Sequence, residues 1–162
     1  MSAEPGTANI CIMSNYVAEL RKLVGSRPLI LCAAGVIFID GEGRILLQQR
    51  TDNGLWALPG GATEPSERLE ETAAREAFEE VGLTCHSLEL FNIFSGPEMY
   101  LRYPGGDEAH IVSAVYICRD YSGEITACPR EVKQVAFFSQ DKLPAGVETH
   151  PPDRAILKEF LK

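Results

Sequence analysis

The sequence has no hydrophobic run long enough to cross a membrane, since a spanning helix needs about 20 apolar residues in succession. Its N-terminus, MSAEPGTANICIMSN, lacks a basic region followed by an apolar stretch, which is the pattern of a secretory signal. These absences predict a cytoplasmic protein with no membrane partner. The length of 162 residues predicts a single domain.

Clusters of lysine and arginine are also lacking. The chain carries 23 acidic and 15 basic side chains, which gives a net charge of -8. Because such a chain repels a polyanion such as DNA or RNA, we expect no nucleic-acid partner. A small anionic substrate stays compatible with this charge if metal ions mediate the contact.

The cysteines show no pairing pattern. There are five of them, an odd number, and no two have the C-x-x-C spacing. This argues against a zinc site and against a disulfide framework. We expect free thiols, mostly buried, because unpaired cysteine is commonly a core residue.

The spacing of apolar residues predicts one domain over residues 14–162, preceded by a loose leader over residues 1–13. The predicted helices are 14–25, 64–81 and 151–161, and the predicted strands are 29–40, 44–49, 55–58, 84–94, 110–120 and 132–139. Strands interspersed with a few helices favour a mixed sheet covered by helices. The first helix has an apolar stripe that needs a partner surface, either on its own domain or on a second subunit, so a homodimer is one alternative.

The stretch REAFEEVGL places Glu76, Glu79 and Glu80 within five positions. On a helix these carboxylates project from one side and converge on a small volume. The opposite side is predicted to face the core and consists of Ala74, Ala77, Phe78 and Val81. The ordinary interpretation of such acids is a solvated helix face.

Two features favour a cation site over a solvated face. Between Glu64 and Glu80 there are seven acids and two arginines but no lysine, whereas a solvated helix usually places lysine four residues from glutamate. Two adjacent glycines, Gly60 and Gly61, precede the helix and allow a close approach of the backbone. Converging carboxylates beside a backbone carbonyl are hard oxygen ligands, suited to Mg²⁺ or Mn²⁺.

The segment GATEPSERLEETAAREAFEEVGL, residues 61–83, resembles the Nudix box. All of its charged and glycine positions match the family pattern, namely Gly61, Glu67, Arg75, Glu76, Glu79, Glu80 and Gly82. The one departure is Ala77, a packing position at which the family favours a larger aliphatic residue. The flanking stretches LWALPGG and VAFFSQDKLP are also similar to those of Nudix hydrolases.

This resemblance implies a Nudix-type α/β/α sandwich with a mixed β-sheet, and pyrophosphohydrolase activity on a nucleoside diphosphate linked to another moiety. ADP-ribose or a nucleotide sugar is the favoured substrate class, and an oxidised dNTP is the second. In the Nudix group that acts on ADP-ribose a proline follows the box at a set distance, and Pro97 falls near that place. A non-catalytic Nudix-fold nucleotide sensor is the alternative, against which the intact box argues.

By position, the resemblance also implies a Mg²⁺ site, with Mn²⁺ as a substitute. The implied ligands are the Gly61 carbonyl and the carboxylates of Glu76, Glu79 and Glu80, with Glu67 in the shell or supporting it. Arg75 would orient the carboxylates through charge-assisted hydrogen bonds.

The resemblance leaves the general base open between two residues. A carboxylate is expected to take the proton of the attacking water. Glu79 is the first choice. Glu131 is the alternative, because in some Nudix enzymes the base lies outside the box, in a loop before a late strand.

The sequence identifies the residues that contact the rest of the substrate less clearly than it identifies the metal ligands. Candidates for stacking on a base are Trp56, Tyr100, Tyr103 and Tyr116. Candidates for phosphate contacts are Arg50 and Arg102. The histidines lack the spacing of metal ligands, and we interpret them as structural or solvated: His86, His110 and His150.

Overall fold

The computed structural model describes residues 15–143 and 148–162, so the predicted leader lies outside the described residues. The helices are α1 (Asn15–Val24), α2 (Leu69–Val81) and α3 (Pro151–Phe160), with short 3₁₀ helices at Pro97–Met99 and Gln140–Lys142. The strands are β1 (Leu29–Phe38), β2 (Ile45–Arg50), β3 (Trp56–Ala57), β4 (Gly60–Ala62), β5 (Thr84–Cys85), β6 (Glu89–Phe94), β7 (Tyr100–Arg102), β8 (Glu108–Cys118), β9 (Tyr121–Ser122) and β10 (Val132–Phe138). None of the helices in these two ranges is long and apolar enough to cross a membrane.

The main sheet is mixed, as predicted. Its strand order is β4-β1-β8-β6, and β7 also pairs with β8. Strands β1 and β8 run parallel, with Leu29 opposite Ala109 and Phe38 opposite Cys118, whereas the other pairs in this sheet are antiparallel. A second sheet has the order β10-β2-β3.

Helices cover the main sheet on both faces, which confirms the α/β/α arrangement. Successive side chains of a strand point to opposite faces. Val36 and Phe38 of β1 accordingly pack in one core with Ala77 of α2. Ile37 packs in a second core with Ile156 of α3.

Helix α1 docks on its own chain. Arg21 Nη2 donates a hydrogen bond of 2.6 Å to the carbonyl of Glu108, at the start of β8. The predicted stripe is half-buried rather than exposed and consists of Val17, Leu20 and Val24. Arg21 thus ties α1 to β8, and the homodimer stays a prediction.

Helix α2 begins later than predicted, at Leu69 rather than at residue 64. Ser66 has a φ of 70°, in the left-handed region that a right-handed helix does not visit. The turn is held by Glu67, whose Oε2 accepts a hydrogen bond of 3.0 Å from the backbone N–H of Glu64. The helix prediction failed here because a left-handed residue at position 66 cannot continue a right-handed helix.

The predicted apolar face of α2 is also partly wrong. Phe78 is 47% exposed, although it was assigned to the core. Ala77 and Val81 are buried as expected, but the carboxyl groups of Glu76 and Glu80 are buried as well. Helix α2 is therefore rotated about its axis relative to the prediction, so that two acidic side chains face the interior of the protein.

The cysteines differ in two respects from the expectation of free, mostly buried thiols. Cys32, Cys85 and Cys118 are free thiols, but only Cys118 is buried. Cys128 is disulfide-bonded, so the prediction of free thiols is wrong at this position.

Strands β1 and β4, which pair antiparallel, approach each other very closely at Gly60. A Cβ atom on Gly60 would lie 2.6 Å from the carbonyl oxygen of Ala34 and 2.7 Å from the Cα of Gly35. Because both contacts are with backbone, neither can move aside without disturbing the strand pair. Glycine at position 60 is what brings β4 against β1.

We predict that Gly60→Ala lowers the free energy of unfolding by about 1–3 kcal/mol, the usual cost of overpacking. The matched control is Gly41→Ala, because nothing lies within 4 Å of a Cβ atom at Gly41. Urea denaturation followed by the fluorescence of the single tryptophan, Trp56, measures both. Equal denaturation midpoints for the two variants would contradict the close approach of β4 to β1.

Candidate active site

Glu80, in the last turn of α2, joins three elements in the interior. Its Oε2 accepts hydrogen bonds from the backbone N–H of Gly60 in β4 (2.9 Å) and from Nε2 of Gln48 in β2 (2.7 Å). The side chain is only 4% exposed as a residue. Burial raises the pKa of Glu80 well above its ordinary value, and the neighbouring charge of Glu76 raises it further.

Glu76 lies one turn earlier, against the backbone of β4. A Cβ atom on Gly61 would be 2.5 Å from the carboxyl carbon of Glu76, so a side chain at position 61 would displace this carboxyl group. Burial raises the pKa of Glu76 to about 7, although Arg75 acts in the opposite direction. The charges of Glu79 and Glu131 add to the increase. The carboxyl group is therefore held among like charges in a largely dry position.

The guanidinium of Arg75 connects the acidic side chains. Its Nε and Nη2 donate to the two carboxylate oxygens of Glu67, at 2.6 and 3.0 Å. Its Nη1 donates to Glu76 at 2.7 Å and to Glu79 at 3.3 Å. A further bond of 3.1 Å reaches the carbonyl of Ala62 in β4. One cation thus fixes three carboxylates and the neighbouring strand.

Glu67 is held as a support for Arg75. The hydrogen bonds from Arg75 lower the pKa of Glu67 to about 2, because they stabilise the ionised form against the effect of burial. Thr72, which is completely buried, donates a further hydrogen bond of 2.7 Å to Glu67. Both oxygens of Glu67 are engaged in this way.

The fold brings Glu131 from a distant part of the sequence to the same place. The loop before β10 is attached to the end of α2, because the backbone N–H of Cys128 donates to the carbonyl of Glu80 at 2.9 Å. Glu131 is half-buried, and its charge raises the pKa of Glu76, Glu79 and Glu80. For Glu79, which is also half-buried, burial is the larger cause of the increase.

The donor chemistry of this cluster fits a hard divalent cation. As they stand, no three His, Cys, Asp or Glu side chains within 15–143 and 148–162 are positioned together to hold a metal ion. However, the cluster consists of carboxylate oxygens, and burial and mutual repulsion disfavour their ionised forms. A divalent cation would reverse that penalty. Glu76, Glu79 and Glu80 are the residues with which it would interact.

A cavity of about 130 Å³ adjoins the cluster and shares Gly60 and Gly61 as part of its wall. Most of the wall is apolar and comes from β1, β7, β8 and α3. The polar side chains in the wall are those of Arg50, Tyr103, Ser113, His150 and Asp153. An apolar cavity with a few convergent polar groups is typical of a ligand site.

Of the four aromatic residues considered for stacking, only Tyr103 lines this cavity. Trp56 instead packs edge-on against Phe138, with ring centroids 4.9 Å apart. Tyr116 is buried in the core beneath α2. Tyr100 is exposed on β7. Sequence alone did not separate the residue at the cavity from the packing residues.

Two further residues line the cavity: His150, which was interpreted as structural or solvated, and Asp153, which the sequence pattern did not single out. Nδ1 of His150 lies 2.9 Å from Oδ2 of Asp153, and both residues are at least nine-tenths buried. The signal was present, because Asp153 shares the spacing of the apolar residues Ile156 and Leu157 on α3. A charged residue on the buried face of a short helix indicates a specific partner. Arg50 also lines the cavity, and its guanidinium pairs with Asp52.

We predict that Arg75→Met lowers the free energy of unfolding by about 3 kcal/mol in metal-free buffer, because Glu67 and Glu76 lose their counter-charge. The control is Arg119→Met, since Arg119 is exposed and its replacement is expected to change the stability by about 0.5 kcal/mol or less. Chemical denaturation in the presence of a chelator measures the difference. Similar stabilities of the two variants would contradict the connecting role of Arg75.

Comparison with known proteins identifies the family. The model of the NUDIX domain family matches residues 31–160. The ADP-ribose pyrophosphatase of Methanocaldococcus jannaschii is 34% identical over 127 residues, which cover 76% of this chain and 69% of that protein. A putative 8-oxo-dGTP diphosphatase of Bacillus subtilis is 36% identical over 111 residues, which cover 68% of each.

The solved structures agree with this assignment. The crystal structure of a MutT NUDIX hydrolase from Burkholderia pseudomallei matches with a TM-score of 0.67 and 27% identity, over 80% of this chain and 96% of that one. A MutT protein from Methanosarcina mazei matches with a TM-score of 0.69, over 83% of this chain and 94% of that one, and its 21% identity supports the fold. The chain belongs to the NUDIX domain family and is a Nudix hydrolase.

Proposed function

We propose that the protein is a Mg²⁺-dependent pyrophosphohydrolase that cleaves a nucleoside diphosphate linked to another moiety, with ADP-ribose or a nucleotide sugar as the favoured substrate class. The observation that carries the proposal is the shared wall at Gly60 and Gly61, with a carboxylate cluster on one side and an apolar cavity on the other. A pyrophosphate at this wall would have its organic group in the cavity and its charge beside the cluster.

We assign Glu76, Glu79 and Glu80 as the residues that hold the cation, Gly61 as a further backbone ligand, and Glu67 as their support. When bound, the cation supplies neutralisation of the pyrophosphate charge and makes water easier to deprotonate. Glu80 is fixed by its two hydrogen bonds from β2 and β4. Because these residues belong to rigid elements, the reacting groups are positioned before the substrate arrives.

We assign the general base to Glu79. It is half-buried, and burial raises its pKa, which makes its carboxylate a stronger proton acceptor than an exposed one. Water adds to one phosphorus, the bridging oxygen leaves with the electron pair of the broken P–O bond, and the proton of the water passes to Glu79. Glu131 is the alternative base, since its charge acts on the same cluster. Glu80 is unsuited to this step because it is buried and already bonded to two donors.

The favoured substrate class is supported by a relative and by a local feature. The relative is the archaeal ADP-ribose pyrophosphatase. The local feature is Pro97, which begins the 3₁₀ helix that leads to Met99 and Leu101 in the cavity wall. An oxidised dNTP is the second candidate, because the small cavity fits a single base and because the Bacillus subtilis relative is named for such a substrate.

We propose a cytoplasmic enzyme that acts on small nucleotides and has no membrane partner. The net charge of -8 supports the further proposal that it has no nucleic-acid partner, because such a chain repels a polyanion. A homodimer is compatible with this activity, although the proposed site uses residues of one chain only.

The test is a product-resolved hydrolysis screen with Mg²⁺ on ADP-ribose, nucleotide sugars, CDP-alcohols, dinucleoside polyphosphates, and normal and oxidised dNTPs. We expect one substrate class to be cleaved, and Glu79→Gln and Glu80→Gln to lower kcat by about 100-fold or more. Glu70→Gln is the matched control, because Glu70 is an exposed carboxylate on the same helix. Binding of a nucleotide without cleavage of any compound would replace the proposal with a non-catalytic sensor.

A further inference from the structure

The wall of the cavity includes a histidine with a buried polar atom that the hydrolytic mechanism does not use. Within the described residues, Nε2 of His150 is buried and has no hydrogen-bond partner. His150 is 6% exposed and lines the cavity. A buried nitrogen without a partner is costly, so its retention points to a ligand that supplies one.

The partner of His150 determines which kind of hydrogen bond is missing. Its Nδ1 lies 2.9 Å from Oδ2 of Asp153. Because a carboxylate can only accept a hydrogen bond, Nδ1 carries the proton in this contact. In the neutral ring Nε2 is then an acceptor, and it requires an N–H or O–H donor from the ligand.

The shape of the cavity indicates the group that brings this donor. Its volume of about 130 Å³ is small, since a cavity for a whole ligand usually measures about 300–1,000 Å³. It therefore accommodates one part of a nucleotide. Leu31, Leu58 and Leu101 supply apolar walls suited to a flat base. The phosphates would remain at the glycine wall, beside the carboxylates.

We propose that His150, oriented by Asp153, accepts a hydrogen bond from an amino group of the nucleobase and so selects amino bases over their oxo counterparts. This inference rests on the proposed function for the type of ligand. Asp153 is a positioning residue, because it acts through the tautomer of His150. A base with a carbonyl oxygen at the same position would face the lone pair of Nε2 and leave both groups unpaired.

Binding of nucleoside monophosphates tests the proposal without turnover. The oxo counterpart of AMP is IMP, that of GMP is XMP, and that of CMP is UMP. We expect at least one amino nucleotide to bind the wild-type protein about 10-fold more tightly than its oxo counterpart in calorimetric titration. Equal affinities within all three pairs, or no binding of any of these nucleotides, would overturn the proposal.

Variants separate recognition from a structural role. His150→Leu is expected to abolish the preference, whereas His150→Gln, which keeps an acceptor, should retain part of it. Asp153→Asn should weaken the preference, because an amide no longer fixes the tautomer. His110→Leu is the control, since His110 is exposed on β8. A preserved preference in His150→Leu, or an equal loss of affinity for both members of a pair, would contradict direct recognition.

Binding and hydrolysis, measured on the same protein, distinguish this proposal from the proposed function. If the amino preference is found but no pyrophosphate is hydrolysed, the recognition site stands and the catalytic assignment fails. The opposite outcome is hydrolysis at equal kcat/KM on ADP-ribose and on its inosine analogue, together with equal binding within all three nucleoside monophosphate pairs. In that case the catalytic assignment stands and the role of His150 fails.

Discussion

Repulsion between carboxylates is the constraint on which the site depends. Three glutamates of one helix meet in a partly dry region, where their ionised forms are unfavourable, and the charge of Glu131 from a distant loop adds to the repulsion. Arg75 offsets this repulsion through bonds to Glu67, Glu76 and Glu79, and it also holds β4 through Ala62. One guanidinium cannot neutralise the whole cluster. A divalent cation would neutralise the excess negative charge, and it would thereby allow a polyanionic substrate to approach the cluster.

Glycine residues determine how close the carboxylate cluster lies to the cavity. Gly60 lets β4 approach β1, and Gly61 leaves room for the carboxyl group of Glu76. The same two residues form part of the cavity wall. The carboxylate cluster and the cavity thus share a backbone wall without side chains, and this wall depends on the close pairing of β4 with β1.

The sequence predicted most of the framework and part of the site. A fixed pattern in residues 61–83 led to the family and the mixed sheet, and periodicity gave the main helices and strands. The start of α2 was misplaced because the left-handed Ser66 stops the helix from extending backwards. His150 was interpreted as structural or solvated, because the cavity that it lines is formed by residues far apart in the chain, which local patterns do not reveal.

The most direct test of the central claim is cation binding by the protein alone. Titration with Mn²⁺, followed by electron paramagnetic resonance, reports the affinity of the cluster without any substrate. We predict that Glu76→Gln weakens Mn²⁺ binding by at least about 10-fold, whereas Glu89→Gln, at an exposed position on β6, leaves it unchanged. Equal affinities of wild type and Glu76→Gln would contradict the view that these buried carboxylates are gathered for a cation.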